Sequence, residues 1–504
     1  MLVIGIDCGT QSLKALAWDT ESEKFSSVSR SYDLIPGLPP GHKEQHPREW
    51  TRALEECVQL LRQSGLDMTR VRAIGVSGQQ HGLVALDSGH RVLRPAKLWC
   101  DTSTAPQCEE IMEAAGGPSA YREEIGNLLP PGYTASKVLW MKRLEPELYS
   151  RLDRMLLPHD YLNLYLTGEV VAEPGDASGT GYYQTGRRQW SRRALAWIDP
   201  DRDLYHCLPP LIASREAAGE VRPSLLRKWG MKAPVRVSSG GGDNMMGAIG
   251  SGNVKAGIVT ASLGTSGTLY SYSPRPVIDS RGEVASFCDS TGGWLPLICT
   301  MNVTVATEMV RSGFLPGDVE ELEKAVKQVG AGSDGLILLP YLEGERVPDV
   351  PEGTGVLVGL RPATATPAHL ARAAMEGVTL GLRQGLDRMK GLGIDPREIR
   401  LIGGASKSRA WRQIAADIFQ MPVVCPLNQE GPALGAAFQA FWCLQGGDIS
   451  DLVWSRLILD EESRCLPSPR NSSLYAELYA LYTRLSHVLI DSEVFPAHRR
   501  FIHR

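Results

Sequence analysis

The stretch IGIDCGTQSLKALAWD, residues 4–19, places an apolar run before a Gly-Thr turn and a second apolar run after it. Tight glycine turns between apolar runs predict a β-hairpin. A similar pattern, IVTASLGTSGTLYSYS, returns at residues 258–273. VRAIGVSG (71–78) and IRLIGGAS (399–406) follow these hairpins in the same order. The repeat predicts an internal duplication, with two similar α/β domains facing each other across a cleft.

The length of the chain also favours two domains. At 504 residues the chain is too long for one core, and two domains of roughly 200–250 residues each are expected. Helical periodicity at residues 46–65 and 367–393 lies among the strand patterns and favours an α/β fold. The stretch GSGNVKAG, residues 250–257, is the predicted junction. We therefore predict an N-terminal domain of residues 1–250 and a C-terminal domain of residues 251–504.

Composition excludes several classes of protein. The net charge of -4 offers no basic field for nucleic acid. No apolar run approaches the roughly 20 residues of a membrane span, and the start, MLVIGIDCGTQSLK, does not have the pattern of a signal peptide. The ten cysteines are scattered without CxxC spacing, so we predict free thiols, no zinc site and a cytoplasmic protein.

The two Gly-Thr turns predict binding of a nucleotide triphosphate, because backbone N–H groups and hydroxyls in such turns bind phosphate oxygens. Asp7 lies just before the first turn and is predicted to hold Mg²⁺ through water. The alternative is that each turn is an ordinary tight hairpin. No G-x-x-x-x-G-K-[ST] motif or protein-kinase motif set is present. The predicted phosphate contacts are Thr10, Gln11, Ser12, Lys14, Gly264 and Thr265.

The stretch SSGGGDNMMGAIGSG, residues 238–252, places Asp243 at the end of a glycine run. A carboxylate there can accept the proton of an alcohol during phosphoryl transfer. It can also serve only as the N-cap of the helix that follows. The two roles are compatible, and we predict that Asp243 is the catalytic base.

Polar side chains in the turn SGQQHGLVALD, residues 77–87, follow another predicted strand. Neutral amides and an imidazole between glycines suit a ligand rich in hydroxyl groups. A lone histidine is more often structural, but His81 lies in a polar turn rather than on an apolar face. We predict that Gln80 and His81 bind a sugar or polyol.

Together these motifs resemble the FGGY carbohydrate kinases over nearly the whole chain. The phosphate turns, the sugar turn and the Asp243 stretch are each similar to a family motif. Three further motifs are similar: GNLLPPGYTASKVLWMK (126–142), PYLEGERVPD (340–349), and the adenosine motif that GGASKSRAWRQIAADIFQMPV (403–423) and GPALGAAFQA (431–440) form together. Each motif has modest specificity alone, but seven in the family's order are highly specific.

The resemblance implies two ribonuclease H-like domains of the actin and hexokinase type, with ATP and Mg²⁺ as cofactors. It implies that Asp243 is the base and that Asp7 lies near Mg²⁺ and the phosphates. Sugar contacts would come from Gln80, His81, Asp243 and Asn244, and adenosine contacts from Gly403, Gly404 and Ser406. A homodimer is common among relatives, although no residue here decides it.

Departures from the family pattern concern the substrate. Gln80 stands where the sugar turn usually has methionine, and LWCDTST (98–104) replaces the usual Leu-Trp-Asn-Asp segment. We expect a ketopentose substrate, D-xylulose first. The alternatives are another ketose or a polyol, such as L-ribulose, L-xylulose or glycerol, and a non-catalytic actin-fold sensor that binds nucleotide.

Overall fold

The structure is a computed structural model that describes residues 1–232, 234–315 and 317–502. The strands are β1 (Leu2–Cys8), β2 (Ser12–Asp19), β3 (Lys24–Ser31), β4 (Glu44–Gln45), β5 (Val71–Gly78), β6 (Val84–Leu86), β7 (Ala96–Lys97), β8 (Arg154–Leu156), β9 (Tyr183–Gln184), β10 (Gln189–Trp190), β11 (Ala217–Glu220), β12 (Arg236–Ser238), β13 (Gly241–Gly242), β14 (Ile258–Leu263), β15 (Gly267–Ser271), β16 (Leu297–Thr300), β17 (Ile337–Leu339), β18 (Val356–Val358), β19 (Glu398–Ile402), β20 (Val423–Pro426) and β21 (Leu459–Cys465).

The α-helices fall between and after these strands. They are α1 (Pro47–Gln63), α2 (Ala105–Ala114), α3 (Pro118–Ile125), α4 (Thr134–Leu144), α5 (Pro146–Ser150), α6 (Pro158–Thr167), α7 (Pro174–Ala177), α8 (Arg192–Ile198), α9 (Pro223–Trp229), α10 (Asp243–Gly250), α11 (Thr304–Phe314), α12 (Val319–Lys327), α13 (Pro367–Gly391), α14 (Arg409–Phe419), α15 (Gly431–Gln445), α16 (Ile449–Arg456), α17 (Pro469–Asp491) and α18 (Val494–Ile502).

The chain forms two compact units. The first comprises Met1–Lys255, Tyr272–Pro296 and Glu430–Leu457, and the second comprises Ala256–Ser271, Leu297–Gln429 and Ile458–Arg504. The first crossover, between Lys255 and Ala256, falls inside the predicted junction. The continuous domains 1–250 and 251–504 stay a prediction, because the first compact unit also includes two segments from later in the chain.

The first unit is built on a sheet in the order β11-β12-β5-β1-β2-β3. β1 runs parallel to β5 and antiparallel to β2, so the predicted hairpin is present. β1 is a nearly continuous apolar run and is buried along most of its length, as expected for a central strand covered on both faces. The amphipathic helix α1 buries Trp50, Leu54 and Leu61 against this core.

The second unit is built on a sheet in the order β16-β15-β14-β19-β20-β21. β14 runs antiparallel to β15 and parallel to β19, as β1 does to β2 and β5. The first four strands of the two sheets therefore share one order and one set of directions. The sheets differ at the far edge, where β11 precedes β12 in the chain but β21 follows β20. The shared order confirms the predicted internal duplication and the α/β fold class.

Helix α15 belongs to the first unit. It packs against β1, β5 and α10, and a β-carbon added at Gly75 would overlap the backbone oxygen of Ala436. Added β-carbons at Gly5 and Gly435 would meet backbone oxygens of Ala433 and Met246 in the same way. Small residues thus bring the helix backbone directly onto the sheet.

Within the described ranges, every helix falls short of the length or the apolar character needed to cross a bilayer.

Candidate functional site

Asp243 is the first residue of α10, and Gly242 occupies the N-cap position. The alternative in which Asp243 is the N-cap is therefore wrong. Its Oδ1 accepts hydrogen bonds from the Asn244 backbone nitrogen at 2.9 Å and from Asn244 Nδ2 at 3.3 Å. Burial, together with the charges of Asp7 and Asp176, raises the pKa of Asp243 to about 8. The side chain is a half-buried carboxylate with a strong tendency to hold a proton.

Asp7 lies near the end of β1, beside Asp243. Ser77 Oγ, on the neighbouring strand β5, donates a hydrogen bond to Asp7 Oδ1 at 2.9 Å. Burial raises the pKa of Asp7 to about 6, although the Ser77 bond and Lys14 oppose the shift. Two mutually repelling carboxylates fit a hard divalent cation, because such an ion would favour the charged form of both.

The predicted sugar turn lies beside this pair. Gln80 is 4% exposed, and its Oε1 accepts a hydrogen bond from Asn244 Nδ2 at 2.9 Å. His81 has a left-handed backbone, with φ of 64°. The centroid of its ring lies 4.5 Å from that of the Tyr133 ring, with the two planes tilted by 32°. Its backbone carbonyl accepts a hydrogen bond from the buried ammonium of Lys137 at 2.5 Å. The structure thus brings Gln80, Asn244 and Asp243 together.

Behind Gln80 lies a cluster that the sequence did not point to. Two segments supply it, the start of α6 and the residues around α7. His159 Nδ1 lies 2.7 Å from Asp176 Oδ2, and His159 Nε2 lies 3.0 Å from Asp160 Oδ1. The fourth member, Glu173, accepts from the Asp176 backbone nitrogen at 2.7 Å. We call these four residues the buried acidic cluster.

Burial dominates the titration of this cluster. It raises the pKa of Asp160 and of Glu173 to about 7, with the His159 charge opposing both shifts. Burial also raises the pKa of Asp176 well above its usual range, against the effect of the Gln80 amide. Three carboxyl groups therefore share one histidine in a low-dielectric site, and burial shifts the pKa of each of them upward.

The glycine run before Asp243 is explained by this crowding. A β-carbon at Gly242 would lie 2.7 Å from Gln80 Cγ and 3.1 Å from Asp176 Oδ1. At Gly240 it would lie 2.6 Å from the Val76 backbone oxygen and 3.0 Å from the His159 ring. Only glycine allows the backbone to pass this close to the buried acidic cluster.

The first Gly-Thr turn is tightly held within its own unit. The Thr10 hydroxyl donates to Gln79 Oε1 at 3.1 Å and accepts from Trp99 Nε1 at 2.9 Å. Lys14 Nζ lies 2.6 Å from Glu430 Oε2. Gln11 is exposed and Ser12 is half-buried at the start of β2. The turn is therefore rigid, but the Thr10 hydroxyl already has partners.

In the second unit, the predicted adenosine residues lie next to the second Gly-Thr turn. Gly403 has φ of 88°, and a β-carbon there would lie 2.6 Å from the backbone oxygen of Leu263, next to Gly264. Ser406 Oγ donates to the Gly403 oxygen at 2.7 Å and to Gln429 Oε1 at 3.2 Å. Gly404 opens the 3₁₀ turn Gly404–Lys407, and Thr265 is exposed.

Among the described residues, one group of potential ligands clusters closely enough for a metal ion: His42, Glu44 and Asp101. The ammonium of Lys97 fills its centre, at 3.0 Å from both carboxylates and 3.3 Å from His42 Nδ1. This group is therefore a buried ion cluster around a lysine, and it explains why Asp101 of the LWCDTST segment is buried.

Comparison with known proteins identifies the family. Residues 2–250 match the N-terminal domain of the FGGY family of carbohydrate kinases, and residues 259–444 match its C-terminal domain. The xylulose kinase of Haemophilus influenzae is 40% identical over 96% of this chain and 99% of its own.

Solved structures agree in fold. The xylulose kinase of Rhodospirillum rubrum superimposes with a TM-score of 0.89 at 25% identity and covers 100% of both chains. The gluconate kinase of Lactobacillus acidophilus reaches the same TM-score at 25% identity, over 97% of this chain and 98% of its own. The chain belongs to the FGGY family of carbohydrate kinases, which are phosphotransferases that act on a small-molecule sugar and ATP.

Proposed function

We propose that this carbohydrate kinase phosphorylates D-xylulose to D-xylulose 5-phosphate with Mg-ATP. The observation that carries the choice of sugar is the 40% identity to a xylulose kinase across nearly both full chains. The fold similarity to a gluconate kinase keeps other polyols as the second candidate, at lower sequence identity.

Asp243 is the proposed base. Its Oδ1 is held by Asn244, so we assign Oδ2 to accept the proton of the sugar O5 hydroxyl. The proton is transferred as the bond to phosphorus forms, and positioning supplies much of the rate. Asn244 follows Asp243 in the chain and is a proposed sugar contact. His81, which follows Gln80 in the same turn, is the second, because Gln80 accepts a hydrogen bond from Asn244. Gln80 was predicted as a sugar contact together with them.

Asp7 is the proposed Mg²⁺ residue, through water. A cation there, when bound, supplies positive charge to the phosphates. In the first unit, Thr10, Gln11, Ser12 and Lys14 are proposed phosphate contacts, with Lys14 exchanging Glu430 for phosphate. In the second unit, Gly264 and Thr265 are proposed phosphate contacts, and Gly403, Gly404 and Ser406 are proposed adenosine contacts.

We also propose that the protein is cytoplasmic and forms a homodimer. The ten free cysteines support a reducing compartment. Light scattering coupled to gel filtration gives the mass in solution, and a monomer at working concentration would contradict the dimer.

The decisive experiment is an ADP-release assay with Mg-ATP and a panel of D-xylulose, L-xylulose, D-ribulose, L-ribulose, glycerol and gluconate. We expect the highest kcat/KM with D-xylulose. A preference for another sugar overturns the substrate but keeps the reaction. A folded, ATP-binding protein that turns over none of them would support the non-catalytic alternative.

A further inference from the structure

We propose that Gln80 is a positioning residue that joins the buried acidic cluster to the base, rather than a sugar contact. It connects Asp176 to Asn244 and so fixes the carboxylate of Asp243. The inference rests on the proposed role of Asp243 in the function above.

Gln80 is almost completely buried. The residue is 4% exposed, and its amide nitrogen Nε2 is enclosed by protein. A side chain that recognises a sugar by hydrogen bonding must expose at least one polar atom to it. Gln80 turns its oxygen to Asn244 and its nitrogen into the protein, so both polar atoms of its amide are directed toward protein groups.

Gln80 contacts the residues on both sides of Asp243. Its Cγ packs over the α-carbon of Gly242, and its Oε1 accepts from Asn244 at 2.9 Å. Asn244 Nδ2 in turn lies 3.3 Å from Asp243 Oδ1. A movement of Gln80 would therefore displace the base itself.

The side chains of Gln80 and Asp176 come together beside Gly242. A β-carbon added at Gly242 would lie 3.0 Å from Gln80 Cδ and 3.1 Å from Asp176 Oδ1. The Gln80 amide lowers the pKa of Asp176, as a hydrogen-bond donor does. Gln80 Nε2 and Asp176 Oδ1 are both buried. One is a donor and the other an acceptor. A carboxylate on that side requires the amide to present its nitrogen there and its oxygen to Asn244. Asp176 itself is fixed by His159 at 2.7 Å.

The test uses a donor-acceptor exchange. Gln80→Met removes the amide at similar size, and Gln80→Glu places two carboxylates face to face. Gln80→Glu combined with Asp176→Asn restores a donor and an acceptor in reversed order at the original net charge. We expect each single change to lower kcat on the order of tenfold to a hundredfold. We expect the double change to recover kcat to within about fivefold of the parent.

The sugar panel separates positioning from contact. A positioning role lowers kcat for every sugar that the parent uses and leaves the ratios of kcat/KM between sugars within about threefold. A tenfold change of ranking would show that Gln80 contacts the sugar and would overturn the proposal. Failure of the double variant to recover, when it is folded, would overturn it as well.

A remote pair provides the matched control. Gln184 Nε2 donates to Glu124 Oε1 at 2.7 Å, which is also a shielded amide-carboxylate pair in the first unit. Gln184→Met should lower the melting temperature and leave kcat unchanged. If it lowers kcat as much as Gln80→Met, the effect is general destabilisation and the proposal fails.

Thermal unfolding tests the link independently of turnover. Gln80→Glu should lower Tm and the double variant should restore it, and additive losses would contradict the link between Gln80 and Asp176. If the parent uses no sugar, the proposed function fails first and the positioning role fails with it, whatever the Tm values show. If Gln80→Glu does not fold, a double-mutant cycle of Gln80→Met and Asp176→Asn replaces it. If the fold-loss of kcat in the double variant equals the product of the two single losses, the two residues act independently and the proposal is overturned.

Discussion

The two sheets share a topology but differ in chemistry at matched positions. Asp7 pairs with Lys14 across the first hairpin and with Ser77 on the parallel strand. In the second unit the same position holds Ser262, which pairs with Thr268 and Ile402. The duplicated fold supplies a Gly-Thr turn twice, while the charged groups are present at this position in the first unit alone. Function is thus set by the site and not by the fold.

A second difference lies in packing. Gly5 and Gly75 pair in the first sheet, and the backbone of α15 rests on them. The matched pair in the second sheet is Thr260 and Arg400, two larger buried side chains. At this matched pair of positions, the close contact of a helix backbone on the sheet is therefore found in the first unit and not in the second.

The largest expected effect comes from removing the base of the first unit. Asp243→Asn should lower kcat by about 10²–10⁴-fold, because the amide cannot accept the sugar proton. The assay is ADP release with D-xylulose. The matched control is Asp417→Asn, since Asp417 is a buried carboxylate of the second unit that accepts from Ser468 and Asn471. Full turnover by Asp243→Asn would show that another group is the base.

The next effect tests the matched position of the two hairpins. Asp7→Ser gives the first unit the residue of the second and should lower kcat about 10²–10³-fold through loss of charge stabilisation at the phosphates. Ser262→Ala should change kcat less than about threefold. A titration with Mg²⁺ should show a weaker apparent affinity for Asp7→Ser only. Equal losses of kcat in Asp7→Ser and Ser262→Ala would show that the two matched positions do not differ in function.

The packing difference predicts a smaller effect, on stability. Gly75→Ala should lower the free energy of unfolding by about 1–3 kcal/mol or more, because its β-carbon overlaps the backbone of α15. Gly313→Ala is the control, since Gly313 lies in helix α11 of the second unit with open space around it. That change should stabilise by about 0.4–1 kcal/mol. Denaturant unfolding measures both, and a tolerated Gly75→Ala would contradict the close contact.

The smallest effect is the pH dependence of stability in the first unit. The pKa of Glu173 is about 7 in the folded protein, above its ordinary value, because of burial. Its contribution to stability is complete below pH 4.5 and is lost as pH rises through about 7. Ligand-free protein should therefore melt at a lower temperature at pH 8 than at pH 5.

Glu173→Gln should narrow the difference in melting temperature between pH 5 and pH 8 by roughly 2–4 °C, equivalent to about 1 kcal/mol. Glu323→Gln in the second unit should not narrow it, because hydrogen bonds from Ser408, Ala410 and Lys327 lower the pKa of Glu323 against burial. Calorimetry at the two pH values makes the comparison. An unchanged pH difference in Glu173→Gln would show that Glu173 does not titrate in this range.

Much of the fold was predictable because its signals are local. The hairpins at Asp7 and Ser262, the strand after each, and helices α1 and α13 follow from apolar periodicity and glycine turns. The same turns and the carboxylates of Asp7 and Asp243 also indicated the candidate site. The segments Tyr272–Pro296 and Glu430–Leu457 could not be assigned to the first unit, because their strands and helices carry no mark of the sheet they join.

The sequence alone determined the family, the duplicated α/β fold and the residues that flank the two turns. Only the tertiary structure decided what lies behind them. Gln80 and Asn244 are 164 residues apart in the chain, and His159 and Asp176 come from segments in which no motif was recognised. Their partnership depends on how the strands order themselves in the sheet. Hydrogen bonds between distant segments leave no periodic pattern, whereas burial of those groups requires that they be satisfied once the fold brings them together.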